Sequence, residues 1–304
     1  MKKKRIIIIG GNGFIGRNLA EELVMHSNTE VFSFDLHVPE QCIRGVHYLE
    51  GDFFNDETLE QIIRNKDIVI HAISTVNPGN SNQKYMQGYG KDFIQTIKLC
   101  EMLIKQNSSM IFLSSGGTVY GEQNVQPIKE SFLPTPINHY GNVKLCIENV
   151  IRTFNIQLNA KMRIVRIANP YGPGQDYHKG VGFIDAALKK ALNGEIIEIW
   201  GDGSIIRDYI YIKDVCKIIN ALIDYDGDEE VFNISTGVGI SQKQVIQQLE
   251  KLGISTNVIY KEKRSVDVKK IVLDNSKIKE IYKYDILSFE EGIEVYYNYL
   301  KNVN

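Results

Sequence analysis

The chain has 304 residues, of which 43% are hydrophobic and 24% charged, with a formal net charge of −2. That length holds one large domain or two smaller ones sharing a core, and the composition excludes disordered and fibrous classes. The balanced, interspersed charge argues against nucleic-acid binding, which needs a basic face.

The basic start, Lys2 to Arg5, leads into four isoleucines and then Gly10-Gly11. That apolar run is too short for a signal peptide, and none in the chain approaches the length of a membrane span. Cys42, Cys100, Cys146 and Cys216 are far apart and show no metal-ligand spacing. A reduced, cytoplasmic setting without a metal is the simplest expectation, with Cys100 and Cys146 as small core residues.

Arg5 to Ile9 is a continuous β-branched run, the pattern of a parallel strand buried on both faces. Phe14 to Met25 reads as a helix, Glu30 to Phe34 as a second strand and His47 to Leu49 as a third. Asn55 or Asp56 can cap the next helix, which ends near Arg64. Asp67 to His71 and Ser109 to Leu113 are two further strands, and between them Phe93, Ile97, Cys100 and Ile104 form one helical stripe. Strand-helix alternation with short links predicts a doubly wound parallel sheet. After Asn169 the pattern loosens around Pro170, Gly172, Pro173 and Gly174, and later elements mix helices with short strands. Ser241 and Gln244, and again Ser288 and Glu291, have capping-box spacing. The expectation is a dinucleotide-binding domain over 1–171, with a return segment near 208–236. A smaller, discontinuous α+β domain over 172–207 and 237–304 would close over it.

Gly10, Gly13 and Gly16 lie directly between a strand and a helix. The first permits a tight turn, the second lets backbone approach a pyrophosphate, and the third permits close helix-strand packing. The helix N-terminus at Phe14-Ile15 would face the phosphates. Asp35 ends the second strand nineteen residues beyond Gly16, where a carboxylate accepts hydrogen bonds from both ribose hydroxyls of NAD and repels a 2′-phosphate. Asp52, before Phe53, could meet the adenine amino group or simply shape the turn into the next helix.

Tyr140 and Lys144 are four apart in a helical apolar pattern and so share one helix face. A free phenol, with a pKa of about 10, is a poor base at neutral pH. A nearby ammonium and an oxidised nicotinamide would favour the phenolate, making Tyr140 able to remove a proton from a sugar or alcohol hydroxyl.

With these pieces the chain resembles, over nearly its whole length, the extended short-chain dehydrogenase/reductase family, and within it the NAD-dependent nucleotide-sugar epimerase/dehydratase group. The matching segments are Gly10-x-x-Gly13-x-x-Gly16, Asp35, Asp52, Ser114 to Gly121 and Tyr140-x-x-x-Lys144. Arg166-x-x-Asn169-x-Tyr171, Gly201 through Arg207-Asp208 and Arg264-x-x-Asp267 complete the match. The resemblance implies a Rossmann-type fold, NAD as cofactor and a UDP-hexose as substrate, with or without an N-acetyl group. Arg207 and Arg264 would hold the diphosphate, as arginine's planar fork allows. Asn169 and Ile271 would line the sugar pocket. Tyr140 would deprotonate the C4 hydroxyl while hydride passes to NAD, and the 4-keto sugar would turn before reduction on its other face. A homodimer packed through the Phe93 to Lys105 and Tyr140 to Phe154 helices is also implied.

The chain departs from the family in three places. Many epimerases carry Ser or Thr where this chain has Gly116, and 4,6-dehydratases carry an acid pair at Gly117 and Thr118. Loss of that pair disfavours a dehydratase and leaves Thr118, preferred, or Ser115 as the hydroxyl that serves the substrate. Asp92 stands where relatives often have Asn, and Ile271 is an intermediate choice at a position that sets pocket size. The competing readings are a 4-ketoreductase or another sugar-nucleotide epimerase, and more remotely a dinucleotide-sensing regulator, which would lack the Tyr/Lys pair.

Overall fold

In the computed structural model the described residues are 3–262, 268–283 and 285–303. Seven strands form one parallel sheet: β1 (Lys4–Ile9), β2 (Thr29–Asp35), β3 (Val46–Glu50), β4 (Ile68–His71), β5 (Ser109–Ser115), β6 (Arg163–Ile167) and, later in the chain, Val231–Ile234. From one edge the order is Val231–Ile234, β6, β5, β4, β1, β2, β3. The order reverses direction at β1 and β4, which opens a crevice at the C-terminal ends of the strands.

Side-chain alternation along β1 shows how the sheet is covered. Ile6 and Ile8 pack into one apolar layer with Leu19, Leu23, Val215 and Ile219 from the helices Phe14–Leu23 and Ile212–Ile223. Ile7 and Ile9 pack into the opposite layer with Leu59, Leu99, Val143 and Ile147. That layer holds the helices Asp56–Ile63, Ile94–Lys105 and His139–Leu158. All four isoleucines are fully buried. Each contributes roughly 1.5–3 kcal/mol, which explains why a β-branched run is required there rather than an alternating one.

A smaller mixed region follows. β7 (Asn169–Tyr171) and the short strand Lys270–Ile271 pair parallel to a strand at Ile206–Tyr211, while Gly239–Ser241 pairs antiparallel to it. Ile196–Trp200 pairs with Asn257–Lys261. Alternation predicts a strand from Tyr209 to Ile212; the strand instead begins at Ile206 and includes Arg207, and Ile212 opens a helix. Residues 208 to 211 are all buried because neighbouring strands and the helix Phe289–Val303 enclose them on both faces.

The helix boundaries follow their caps. Asn55 accepts from the Thr58 amide at 2.9 Å and so starts the helix Asp56–Ile63. Ser241 and Gln244 form the reciprocal capping box expected from their spacing, and Ser288 and Glu291 make the same pair of contacts. Ahead of Ile94–Lys105 the helix is not regular: Gly88–Phe93 is a π-helical turn. Cys100 is buried as expected, whereas Cys146 is only half-buried.

Candidate active site

The glycine turn sits at the C-terminal end of β1. Gly10 has φ +86°, a region that L side chains rarely adopt, and its amide donates to Phe34 O at 2.9 Å. A Cβ on Gly16 would lie 2.3 Å from Gly10 O, so this contact between turn and helix exists only for glycine. Gly13 is the N-cap of the helix Phe14–Leu23 and provides no side-chain cap, so the positive end of that helix is open to an anion. Asp35 lies beside the turn; its carboxylate accepts from the Asn12 amide at 2.9 Å and from its own neighbour Leu36 at 2.8 Å. The geometry of turn, helix end and carboxylate fits a dinucleotide pyrophosphate and ribose. Asp52 accepts from the Phe54 amide at 2.9 Å, and Phe53 is buried. That contact shapes the turn into the next helix.

Tyr140 and Lys144 project from the first turns of the helix His139–Leu158, which Asn138 caps through the Gly141 amide. Lys144 is 4% exposed; its Nζ donates to Leu113 O at 3.0 Å and lies 5.7 Å from the Tyr140 ring centre. Burial draws its pKa down to about 8, against the opposing pull of the Asp92 and Glu148 carboxylates. The Tyr140 phenol is pushed up to about 12 by burial and by the Asp92 carboxylate, and a hydrogen bond with Ser115 pulls in the opposite direction. The expectation is a phenol made more acidic by its lysine together with an oxidised nicotinamide; in the chain by itself burial is the largest influence on the phenol, and it acts in the opposite direction.

The segment Ser114 to Gly121 turns from the end of β5 into a single helical turn, Gly116–Val119. Ser115 is the hydroxyl that reaches Tyr140. Thr118 Oγ1 is buried and has no hydrogen-bond partner among the described residues. Gly116 lies against Leu273, whose Cδ1 would be 2.3 Å from an added Cβ. A Cβ on Gly117 would stand 3.4 Å from the Asn169 amide oxygen, an ordinary contact distance. Asn169 donates to Asp208 O at 3.1 Å, Arg207 is half-buried and donates to Ile206 O at 2.9 Å, and Ile271 lies opposite Arg207 in the strand register. Asn169 and Ile271 thus lie on two strands that each pair in parallel register with the strand carrying Arg207. Arg264 and Asp267 lie outside the described residues.

Beneath the site is an ion pair that sequence reasoning missed. Arg166 and Glu148 are both buried, with Nη2 to Oε2 at 2.6 Å. Ser114 donates to the same carboxylate, Arg166 donates to Tyr120 OH at 2.9 Å, and Tyr120 donates to Asn233 at 2.8 Å. Glu148 is one further helical step beyond Tyr140 and Lys144, a spacing that could have exposed it. Asp208 is likewise structural: it accepts from Thr236, Gly237 and Leu273 amides at 3.0–3.2 Å, tying the strand that carries Arg207 to its neighbours.

The sequence model of the NAD dependent epimerase/dehydratase family matches residues 6–235. A provisionally named UDP-glucose 4-epimerase of Methanocaldococcus jannaschii is 29% identical, covering 98% of this chain and 99% of the relative. A dTDP-4-dehydro-6-deoxyglucose reductase of Escherichia coli is 31% identical over 90% of both chains. The crystal structure of a Thermotoga maritima UDP-glucose 4-epimerase with UDP-glucose superposes with a TM-score of 0.92 at 30% identity, covering 98% of this chain and 99% of that one.

Proposed function

The chain belongs to the NAD dependent epimerase/dehydratase family, and on that premise we propose that it is an NAD-dependent nucleotide-sugar 4-epimerase that interconverts UDP-hexoses. The observation that carries this reading is the Tyr140–Lys144 pair on one face of the helix His139–Leu158, with Lys144 Nζ 5.7 Å from the Tyr140 ring centre and bonded to Leu113 O near the end of β5.

The turn at Gly10 to Gly16 and the helix end at Phe14-Ile15 would hold the pyrophosphate of NAD, Asp35 the adenosine ribose, and Lys144 the nicotinamide ribose. Bound NAD supplies a two-electron acceptor that takes hydride from the sugar carbon and returns it, with no net consumption. Tyr140 accepts the proton of the C4 hydroxyl, and Ser115 relays or steadies that hydrogen bond. Because the chain's own groups hold the phenol protonated, activation must coincide with assembly of the full complex, which keeps the free site inert. Arg207, with Arg264, would grip the diphosphate while the 4-keto ring turns, so that the same tyrosine returns the proton on the other face. Asn169 and Ile271 would line the sugar pocket, with Thr118 a second hydroxyl donor.

Among the described residues no helix is long and apolar enough to cross a membrane. The proposal includes a cytoplasmic location and a homodimer packed through the Phe93 to Lys105 and Tyr140 to Phe154 helices. Exposed Ile94 on the first of these supports that packing. Light scattering at the monomer mass would exclude the dimer.

The experiment is an NMR assay of UDP-hexoses and UDP-N-acetylhexosamines with purified protein and no added NAD. Interconversion of the 4-epimers is the expected result. Failure with every sugar, together with oxidation of added NADH or NADPH by 4-keto sugars, would replace the epimerase by a reductase, the activity for which the Escherichia coli relative is named.

A further inference from the structure

Asp92 belongs to the π-helical turn Gly88–Phe93, which packs against the helix bearing Tyr140 and Lys144. A π turn widens the helix and interrupts its regular ladder, and such turns are frequent at functional sites. Asp92 is 2% exposed. Its Oδ2 accepts from the Thr75 amide at 2.8 Å and from Ser74 Oγ at 3.0 Å. Its Oδ1 is buried and has no partner among the described residues, and no ion pair within 4.0 Å reaches it among them. A carboxylate removed from water with one oxygen unanswered is costly unless a positive charge stands nearby.

The groups around the site show which charge that is. From β4, His71 faces Lys144 with its Nε2 tied to Thr96 at 2.8 Å, and burial holds its pKa down to about 3, so the ring is neutral. From the helix His139–Leu158, Glu148 faces Lys144, but Arg166 already neutralises it. From β5, Ser115 brings no charge. Asp92 lies four residues beyond Gly88, which packs on Val143 beside Lys144; among the described residues it is in no ion pair, and it acts on both Tyr140 and Lys144.

We propose that Asp92 is a positioning residue of the active site: its buried carboxylate, with one oxygen unanswered among the described residues, is the counter-group that holds the Tyr140–Lys144 pair in place until substrate and cofactor arrive. The geometry makes it a built-in counter-charge rather than a surface acid. The inference rests on the epimerase reading only for its kinetic arm. Its sign is fixed by electrostatics: removing the negative charge makes the ammonium and the protonated phenol both easier to deprotonate.

The test uses protein as purified, with lysines labelled at the ε-carbon with 13C and the Lys144 resonance assigned by its loss in Lys144→Arg. In Asp92→Asn, and in the smaller neutral variant Asp92→Ser, the Lys144 titration midpoint is expected to fall by about one pH unit. The pH profile of kcat should move to lower pH on both limbs. A Lys144 midpoint unchanged from wild type in both variants overturns the proposal, as does a loss of activity that leaves the profile in place. Absence of epimerisation by the wild-type protein would overturn the functional reading, and the Lys144 titration would still decide the role of Asp92.

Discussion

Ser115 ends β5 and its hydroxyl draws the Tyr140 phenol's pKa down, whereas Thr118, in the turn that follows, has a buried hydroxyl with no partner among the described residues. The hydroxyl that acts on the proposed base is therefore the one closer to the strand. Tyr140→Phe is expected to lower kcat by about 10²–10⁴, the usual worth of a general base. Ser115→Ala should lower kcat more than Thr118→Val. Steady-state rates of the two variants check this, and the opposite ranking would assign the substrate hydroxyl to Thr118.

The Gly16 contact predicts a cofactor defect. Its missing Cβ would stand 2.3 Å from Gly10 O and 2.8 Å from Gly11 Cα, so Gly16→Ala must push the turn off the helix. At Gly13 the nearest atom is 3.2 Å away, which a small shift relieves. Gly16→Ala should therefore purify with little bound dinucleotide and a lowered Tm, and Gly13→Ala with less of both defects. Release of nucleotide from acid-denatured protein, quantified by chromatography, measures the first effect.

The buried pair Arg166–Glu148 predicts a stability loss that reads as a loss of activity. Arg166→Met leaves Glu148 buried without its cation, at a cost of about 3–5 kcal/mol. The double variant Arg166→Met with Glu148→Leu should recover part of that loss, because neither side chain then carries an unpaired charge. Urea unfolding of the three proteins tests the ranking.

His71 predicts one component of acid sensitivity. It is 1% exposed, and burial with the nearby Lys144 holds its pKa near 3, below the ordinary 6.5. Between those values the unfolded chain binds a proton that the folded chain refuses, so stability is full above pH 6.5 and falls as pH drops toward 3. The slope from this group is about 1.4 kcal/mol per pH unit. His71→Gln should show a shallower loss between pH 6.5 and 4 by thermal or urea unfolding, and equal slopes would exclude His71 as the source.

Local physics made much of the molecule readable in advance. The β-branched run at Ile6 to Ile9, the glycines at 10, 13 and 16, and the carboxylate closing β2 each express a requirement met within a few neighbouring residues. The same holds for the Tyr140 and Lys144 face, since four residues along a helix is one turn wherever the helix goes. The caps at Asn55 and Ser241 are equally local.

What required the folded chain was every contact between elements distant in sequence. The choice between Ser115 and Thr118 depends on how the turn Gly116–Val119 lies against the helix His139–Leu158, which a one-dimensional spacing does not contain. The burial of the strand Ile206–Tyr211 on both faces follows from partners as far away as the C-terminal helix. In sequence Asp92 is only a departure from the family's usual Asn ahead of the long helix; the fold places it, buried, in the π turn that packs against the helix of Tyr140 and Lys144. The sequence by itself determined the dinucleotide turn and the face that carries the base, because both are set by backbone geometry over one or two turns. Only the tertiary structure decided how the turn Gly116–Val119 and the buried Asp92 are placed around the helix that carries Tyr140 and Lys144, because burial and cross-element distance, not spacing, set those energies.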